Sequence, residues 1–476
     1  MKSSELIDIA RALKAAEELS EEWKLHKELA DYEANAWKVE HRSLPVLHLE
    51  DLTGIPFLDG VKGIGEYQHR ARVRAGDGDL FAAATLPAEG YEDYNQQRLG
   101  IGAPDFVRAE GDDPMAVTLA CLEEAAFAKL QGRARESGGL VIHPYMAIEA
   151  VWELARALSS SVGEPVAVLG PPPPALWVAN DKSRFSRLVE DVLGRDWIVE
   201  TERSTDPEVL ARALGDLASR CEQVGIKRTR CASAMGNLVL DANELRRESA
   251  GELRARVDRF LKRTRWCDGE EVLIVEWRDT DISPSTQLWV PPVGQGPPKI
   301  DGVYEQLLDG PEKVFLGSTP STLPDAVNQA LLEASVQVCT ALQQLGYVGR
   351  CSFDFIVTGD LEGDFHAQFT ECNGRWGGTS TPMHLVDRIV NYQGERPAYM
   401  ATDYFLPDSH RGMGFADVLE ALEPELYSPQ TGDGRFILYN VGPLDEHGKF
   451  DVISLGEDSD DARRGIDEVL RERLGL

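Results

Sequence analysis

Apolar positions along the chain fall into helix-like and strand-like runs that alternate. Residues 5 to about 38 carry apolar side chains at helical spacing and predict one long helix. From there to about residue 175, short apolar runs alternate with amphipathic ones. RVRAGDGDLFAAATLP suggests a hairpin around Gly76–Gly78, and Pro114 to Gly132 a helix. GLVIHPYMAIEAVWELARAL reads as strand, loop and helix, and PVAVLG as a further buried strand. Strands and helices in alternation define an α/β unit. Gly60, Gly63, Gly65, Gly100 and Gly102 lack the spacing of a dinucleotide fingerprint and read as turns.

Four consecutive prolines, Pro171 to Pro174, can continue neither a helix nor a central strand, so a domain boundary is placed there. The proline-rich stretch from Trp289 to Gly302 reads as a loop inside the next unit. In the segment from Asp325 to Arg350, apolar residues at 327, 331, 334, 338, 341, 342 and 345 occupy one face of a helix. A second boundary follows Asp387. Beyond it come a strand (RFILYNVG), a turn (PLDEHGK), another strand (FDVISLG) and a last helix from Ser459, a small α+β unit. The expected division is 1–175, 176–387 and 388–476.

With 476 residues the chain exceeds one ordinary core, in keeping with several domains. Its formal charge of −31 argues against nucleic acid and anionic membrane partners. An acidic surface is also what solubility alone produces. Seven cysteines without a CxxC pair suggest reduced thiols and a cytoplasmic setting, and no zinc pattern is present. The acid-rich N-terminus does not resemble a signal peptide, and no window approaches a membrane span.

The chemistry concentrates in GRCSFDFIVTGDLEGDFHAQFTECNGRWGGTS, Gly349 to Ser380. Two β-rich runs flank the turn-forming TGDLEGD. A hairpin centred on Glu362–Gly363 sets Asp354 opposite Glu371, Ser352 opposite Asn373 and Ile356 opposite Phe369. Side chains two apart share a strand face, so Asp354, Glu371 and Asn373 converge on one patch. Facing carboxylates repel, and a hard divalent cation such as Mg²⁺, completed by phosphates, would relieve them. The plain alternative is an edge hairpin whose acids face water. By relieving the repulsion between the facing carboxylates, Glu371→Gln is expected to stabilise the metal-free chain by a few tenths of a kcal/mol. Arg375 follows as a fork of donors, and Gly377–Gly378 offer close backbone approach.

ECNGRWGG resembles the ATP-grasp signature, and SFDFIV the strand that carries that family's other metal acid. What the resemblance implies is an ATP-grasp fold with an α/β domain before the clamp and a small α+β domain after it. It also implies ATP and Mg²⁺, the metal held by Asp354, Glu371 and Asn373, with Arg375 and Arg350 at the transferring phosphoryl group. Of thirteen lysines, Lys182 in NDKSRF and Lys227 in GIKRTRCASAMGN match the two phosphate-gripping positions, the second followed by a small-residue loop. VLIVEW resembles the adenine-side strand, with Glu276 as its candidate and Asp281 as a lesser one. His384 is a candidate for handling the amine proton. SPSTQL and YEQLLDG resemble phrases of the branch that includes the pheganomycin-type peptide ligases. That branch implies a carboxylate–amine ligase joining an unusual amino acid, guanidino-substituted or otherwise, to a peptide N-terminus in peptide natural-product (antibiotic) biosynthesis. The partners expected are small-molecule carboxylate, amine and peptide; a homodimer is allowed. A kinase using the same clamp and a nucleotide-binding regulatory module remain alternatives.

Overall fold

The computed structural model describes residues 8–476 except 59–60, 232–235, 311–312, 393 and 395. Three sheets organise it. The first has the order β3-β2-β1-β4-β5, formed by Val46–Leu49 (β1), Leu80–Ala83 (β2), Asp105–Arg108 (β3), Leu140–Pro144 (β4) and Val166–Val168 (β5). Every pairing in it is parallel. Helices Glu124–Ser137 and Glu149–Val162 pack on the face that carries Leu47, Leu49, Leu80, Leu140 and Ile142.

A four-stranded antiparallel sheet follows, β6-β9-β7-β8, from Thr201–Ser204 (β6), Gln223–Arg228 (β7), Asn237–Asp241 (β8) and Val272–Glu276 (β9). Helices Pro207–Ala218 and Ala250–Arg263 pack on one face through Leu214, Val257 and Phe260. The third sheet has eight strands in the order β14-β13-β10-β11-β12-β15-β17-β16. These are Pro284–Val290 (β10), Lys299–Asp309 (β11), Val314–Pro320 (β12), Gly349–Gly359 (β13), Phe365–Asn373 (β14), Ala398–Phe405 (β15), Phe436–Tyr439 (β16) and Lys449–Gly456 (β17). All its pairings are antiparallel. Helix Asp325–Gln344 lies on it with Val327, Leu331, Ala334, Val338, Ala341 and Leu342 buried, the face read from the sequence.

Several local expectations change. The long N-terminal helix runs only from Ile9 to Glu22, then breaks at Lys24, whose φ is +56°. Trp23 and Leu25 both pack on the same core as Leu19. Residues two apart point to opposite sides of a straight helix, so both reach the core only if the axis turns. The expected hairpin around Gly76–Gly78 is absent: Ile64–Arg74 is a 3₁₀ helix, and β2 pairs in parallel with β1 and β3. Arg70, Arg72 and Arg74 are buried there, bound to Glu50, Glu92 and main-chain carbonyls. Their R-x-R-x-R alternation imitates a strand. The helix expected over Pro114–Gly132 is two, Val117–Ala120 and Glu124–Ser137. The turn before β17 closes as a short helix, Leu444–His447, ended by Gly448 at φ +62°. Gly60 lies outside the described residues.

Candidate active site

β13 and β14 meet in the predicted register at their open ends: Ser352 faces Asn373 and Asp354 faces Glu371. A bulge then intervenes between Asp354 and Phe355, so Phe355 faces Phe369 and Ile356 faces Gln368. The expected Ile356–Phe369 pair therefore does not form. The extra residue, Thr370, donates its hydroxyl to the Asp354 carbonyl at 3.1 Å. Phe369 turns into the core, its ring 4.2 Å from that of Phe355, while Ile356 lies on the opposite side with Val199, Leu273 and Val275.

The facing carboxylates are not left to repel. Lys182 Nζ stands 2.9 Å from Glu371 Oε2, and Asn373 Nδ2 donates to Asp354 Oδ2 at 2.9 Å. Burial would raise the Glu371 pKa, but Lys182, Lys227 and Arg375 outweigh it and hold the group below its ordinary value. Asp354 is pushed up to about 7, first by burial and then by the charge on Glu371. The pair therefore holds one firm negative charge and one that an added cation would complete.

Lys182 opens helix Lys182–Leu193, whose N-cap Asp181 accepts from the Ser183 and Arg184 amides. Its ammonium also donates to the Cys231 carbonyl at 2.9 Å. Burial opposes its charge, yet Cys231 and Glu371 raise its pKa above the usual lysine value. Lys227 projects from β7 over the Trp277 ring at 5.0 Å, and burial lowers its pKa to about 8 against the pull of Glu371. The small-residue loop expected after it falls on residues 232–235, outside the described residues. Glu276 ends β9 and pairs with Arg278 at 3.1 Å. Asp281 has a fully exposed side chain held by Lys313 at 2.9 Å.

Two cavities meet at the hairpin. The smaller, about 140 Å³, is lined by Lys182, Lys227, Glu276, Trp277, Asp354 and Glu371. The larger, about 470 Å³, is bordered by Asp354, Glu371, Asn373 and Arg375, and extends along the eight-stranded sheet. Five predicted residues thus share the first space and four the second, with Asp354 and Glu371 common to both. Arg350 is not brought in: it pairs with Asp301 and lies between the Trp289 and Trp376 rings, 5.5 and 5.3 Å from their centres. His384 also borders neither cavity. It packs against Trp376, and burial followed by Arg350 lowers its pKa to about 3.

Sequence reasoning missed Asn180. Its Oδ1 accepts from the Gly374 amide at 3.1 Å and from Arg375 Nη1 at 3.3 Å, fixing the loop after the hairpin. Nothing in the sequence separates this asparagine from a helix-terminal one, although its place two residues before Lys182 was a usable cue. The Gly377–Gly378 pair also differs from expectation. The Gly377 amide donates to Ser380 Oγ at 2.7 Å, and a Cβ on Gly378 would stand 2.3 Å from the Phe315 ring. Gly378 is required by packing.

Two carboxylates and an amide supply only oxygen donors, facing a cavity, which suits Mg²⁺ completed by waters and phosphates. Among the described residues no group of three or more His, Cys, Asp or Glu forms a closed metal cage.

With this geometry the fold is the ATP-grasp fold, a two-lobed clamp preceded by a parallel α/β sheet. The chain is similar to N5-carboxyaminoimidazole ribonucleotide synthetase from Thermus thermophilus, with TM-score 0.51 and 16% identity over 90% of this chain and 98% of that one. An ADP complex of an N5-carboxyaminoimidazole ribonucleotide synthetase gives TM-score 0.54 and 13% identity over 91% and 99%. The β-γ-ATP complex of biotin carboxylase from Campylobacter jejuni gives 0.51 and 14% over 84% and 86%. No family model matches the chain. No curated protein matches its sequence. Among the described residues, no helix is long and apolar enough to cross a membrane.

Proposed function

We propose that this chain is an ATP- and Mg²⁺-dependent carboxylate–amine ligase that works through an acyl phosphate. The observation that carries the reading is the facing pair Asp354–Glu371, standing between a cavity lined by two lysines and a second cavity large enough for organic substrates. Two neighbours of the same fold were solved with ADP or an ATP-type ligand. In this reading ATP occupies the smaller cavity, with Lys182 and Lys227 on its phosphates and Glu276 on the adenosine side. Mg²⁺, when bound to Asp354, Glu371 and Asn373, would neutralise phosphate charge. Arg375, oriented by Asn180, serves the transferring phosphoryl group and then the tetrahedral oxyanion.

The chemistry is two displacements. A carboxylate oxygen bonds to the γ-phosphorus and the bridging oxygen leaves with ADP. The amine nitrogen then bonds to the acyl carbon, inorganic phosphate departs with the original carboxylate oxygen, and the amine loses a proton. Neutral, cavity-remote His384 takes no part. The finer assignment, an unusual amino acid joined to a peptide N-terminus in the manner of the pheganomycin peptide ligase, rests on the resemblance of SPSTQL, YEQLLDG and ECNGRWGG. We divide the chain at 175, by the proline run, and at 387, place it in the cytoplasm on its cysteine usage, and allow a homodimer.

A panel of carboxylates and amines, scored for ADP and phosphate release, tests the class. The expected result is release only when acid and amine are both present, with one ¹⁸O from labelled acid entering phosphate per amide. ADP without free phosphate would mean a kinase, label in AMP an adenylating ligase, and no turnover with any pair a binding module.

A further inference from the structure

The eight-stranded sheet carries a second pair of facing carboxylates. Asp403 on β15 lies directly opposite Asp451 on β17, and both line the larger cavity that Asp354 and Glu371 border. Between β13 and β15 the sheet passes through β10, β11 and β12. That is four strand spacings, about 19 Å measured along the sheet. The cavity is therefore a trough with an acid pair at each end.

At the far end a single ammonium stands between the two acids. Lys449 Nζ stands 2.8 Å from Asp403 and 3.2 Å from Asp451, and reaches the Tyr67 hydroxyl. One ammonium faces two carboxylates. The neighbouring Arg70, whose guanidinium is bound to Glu50 at 2.6 Å, pulls on Asp451 less than Lys449 does. Asp451 is buried and takes a further hydrogen bond from Asn440 at 2.8 Å, whereas the Asp403 side chain keeps 26% of its surface open. Burial and then the charge on Asp403 push the Asp451 pKa up to about 7, against the pull of Lys449 and Arg70.

A second, separate feature also points to a ligand. Gln287 on β10 is 2% exposed and lines the same trough between its two ends. Its side-chain nitrogen donates to Ser285 Oγ at 3.1 Å, but its carbonyl oxygen has no partner. A buried acceptor without a donor is costly, and a ligand N–H in the trough would satisfy it. Leu52, Ile55, Leu58 and Ile64 make an apolar wall.

We propose that this trough binds an extended peptide whose free N-terminus lies beside Asp354 and Glu371 and whose basic side chain pairs with Asp403 and Asp451. Gln287 accepts a peptide N–H on the way. The N-terminus as reacting amine rests on the ligase reading; the cation site does not. An extended peptide advances about 3.4 Å per residue, and a lysine side chain adds about 6 Å, so the basic residue belongs near the fourth position.

The test is calorimetric binding of two synthetic peptides, Ala-Ala-Ala-Lys-amide and its norleucine counterpart, to the full chain without nucleotide. The lysine peptide should bind at least tenfold more tightly. In Asp403→Asn the ratio should fall to about one with norleucine-peptide affinity retained, and Asp403→Glu should restore part of it. Gln287→Leu should weaken both peptides alike. Thermal melting of each variant separates lost binding from lost folding. Equal affinities in the wild type, a preference that survives Asp403→Asn, or no binding of either peptide would each overturn the proposal. ADP binding, measured in parallel, separates this failure from failure of the ligase reading.

Discussion

Replacing Glu371 by Gln removes one charge from the meeting point of the two cavities, and the structure fixes the sign of its effect on stability. Considered with Asp354 alone, the substitution relieves a cross-strand repulsion of a few tenths to 1 kcal/mol. Lys182 reverses that sum. Its side chain is 7% exposed and its ammonium stands 2.9 Å from the Glu371 carboxylate. The substitution leaves this buried ammonium without its counter-ion and with a neutral acceptor, at a cost of about 1.5–3 kcal/mol. The net is a loss of about 1–2 kcal/mol in the metal-free chain, not the gain the sequence suggested. With an unfolding entropy of roughly 2.1 cal/mol/K per residue, this lowers Tm by about 1–2 °C when 476 residues melt together. Turnover should fall at least about 100-fold, the scale for losing one preorganised charge contact at a reacting phosphoryl group. Calorimetric melting without Mg²⁺ and ADP release across a Mg²⁺ titration measure the two effects. A raised Tm would refute the dominance of Lys182, and kcat within twofold of wild type at saturating Mg²⁺ would refute the metal assignment.

Lys227→Ala should raise the KM for ATP and lower kcat, because the same ammonium grips phosphate in the ground and transition states; an unchanged ATP dependence would show that Lys227 does not touch the nucleotide. Asn180→Ala should lower kcat about tenfold with KM for ATP little changed, since it frees the Gly374 amide and Arg375 without touching Lys182; steady-state kinetics check the split. His48, buried 3.6 Å from Asp79, has its pKa lowered to about 4 by burial. Its folded pKa lies below the unfolded value of about 6.5, so its contribution is whole above pH 6.5 and is lost as pH falls towards 4. The loss is about 3 kcal/mol. In denaturant titrations His48→Gln should therefore show a flatter acid limb than wild type over that window.

Much of the site was legible because a strand hairpin turns sequence distance into spatial partners. Asp354 and Glu371 were assigned to each other from alternation and a turn centre alone, and the register agrees. The rule failed one residue later, where Thr370 bulges out; alternation carries no mark of an inserted residue. Arg350 was expected at the transferring phosphoryl group, but its long side chain chose Asp301 and two indole rings over the cavity, a choice made by residues distant in sequence. The buried arginines of Ile64–Arg74 deceived for a related reason. Arginine patterns predict exposure until partners such as Glu50 and Glu92 are known. Gln287 was invisible, and Asn180 nearly so, because a lone amide acquires meaning only from what it faces.

The order of strands in the eight-stranded sheet has a bearing on how the chain is made. β12 ends at Pro320, yet its outer neighbour β15 begins at Ala398, and β17, which backs β15, begins only at Lys449. During synthesis the edge of β12 therefore stays bare while most of the remaining polypeptide is still being translated. The small sheet β6–β9 draws its strands from 76 consecutive residues, Thr201–Glu276, and can close early. A bare antiparallel edge is a template for pairing with another nascent copy. The sheet that carries Lys227 can thus mature on the ribosome, whereas the trough is completed last, and chains truncated before β15 should associate through β12 rather than persist as single fragments.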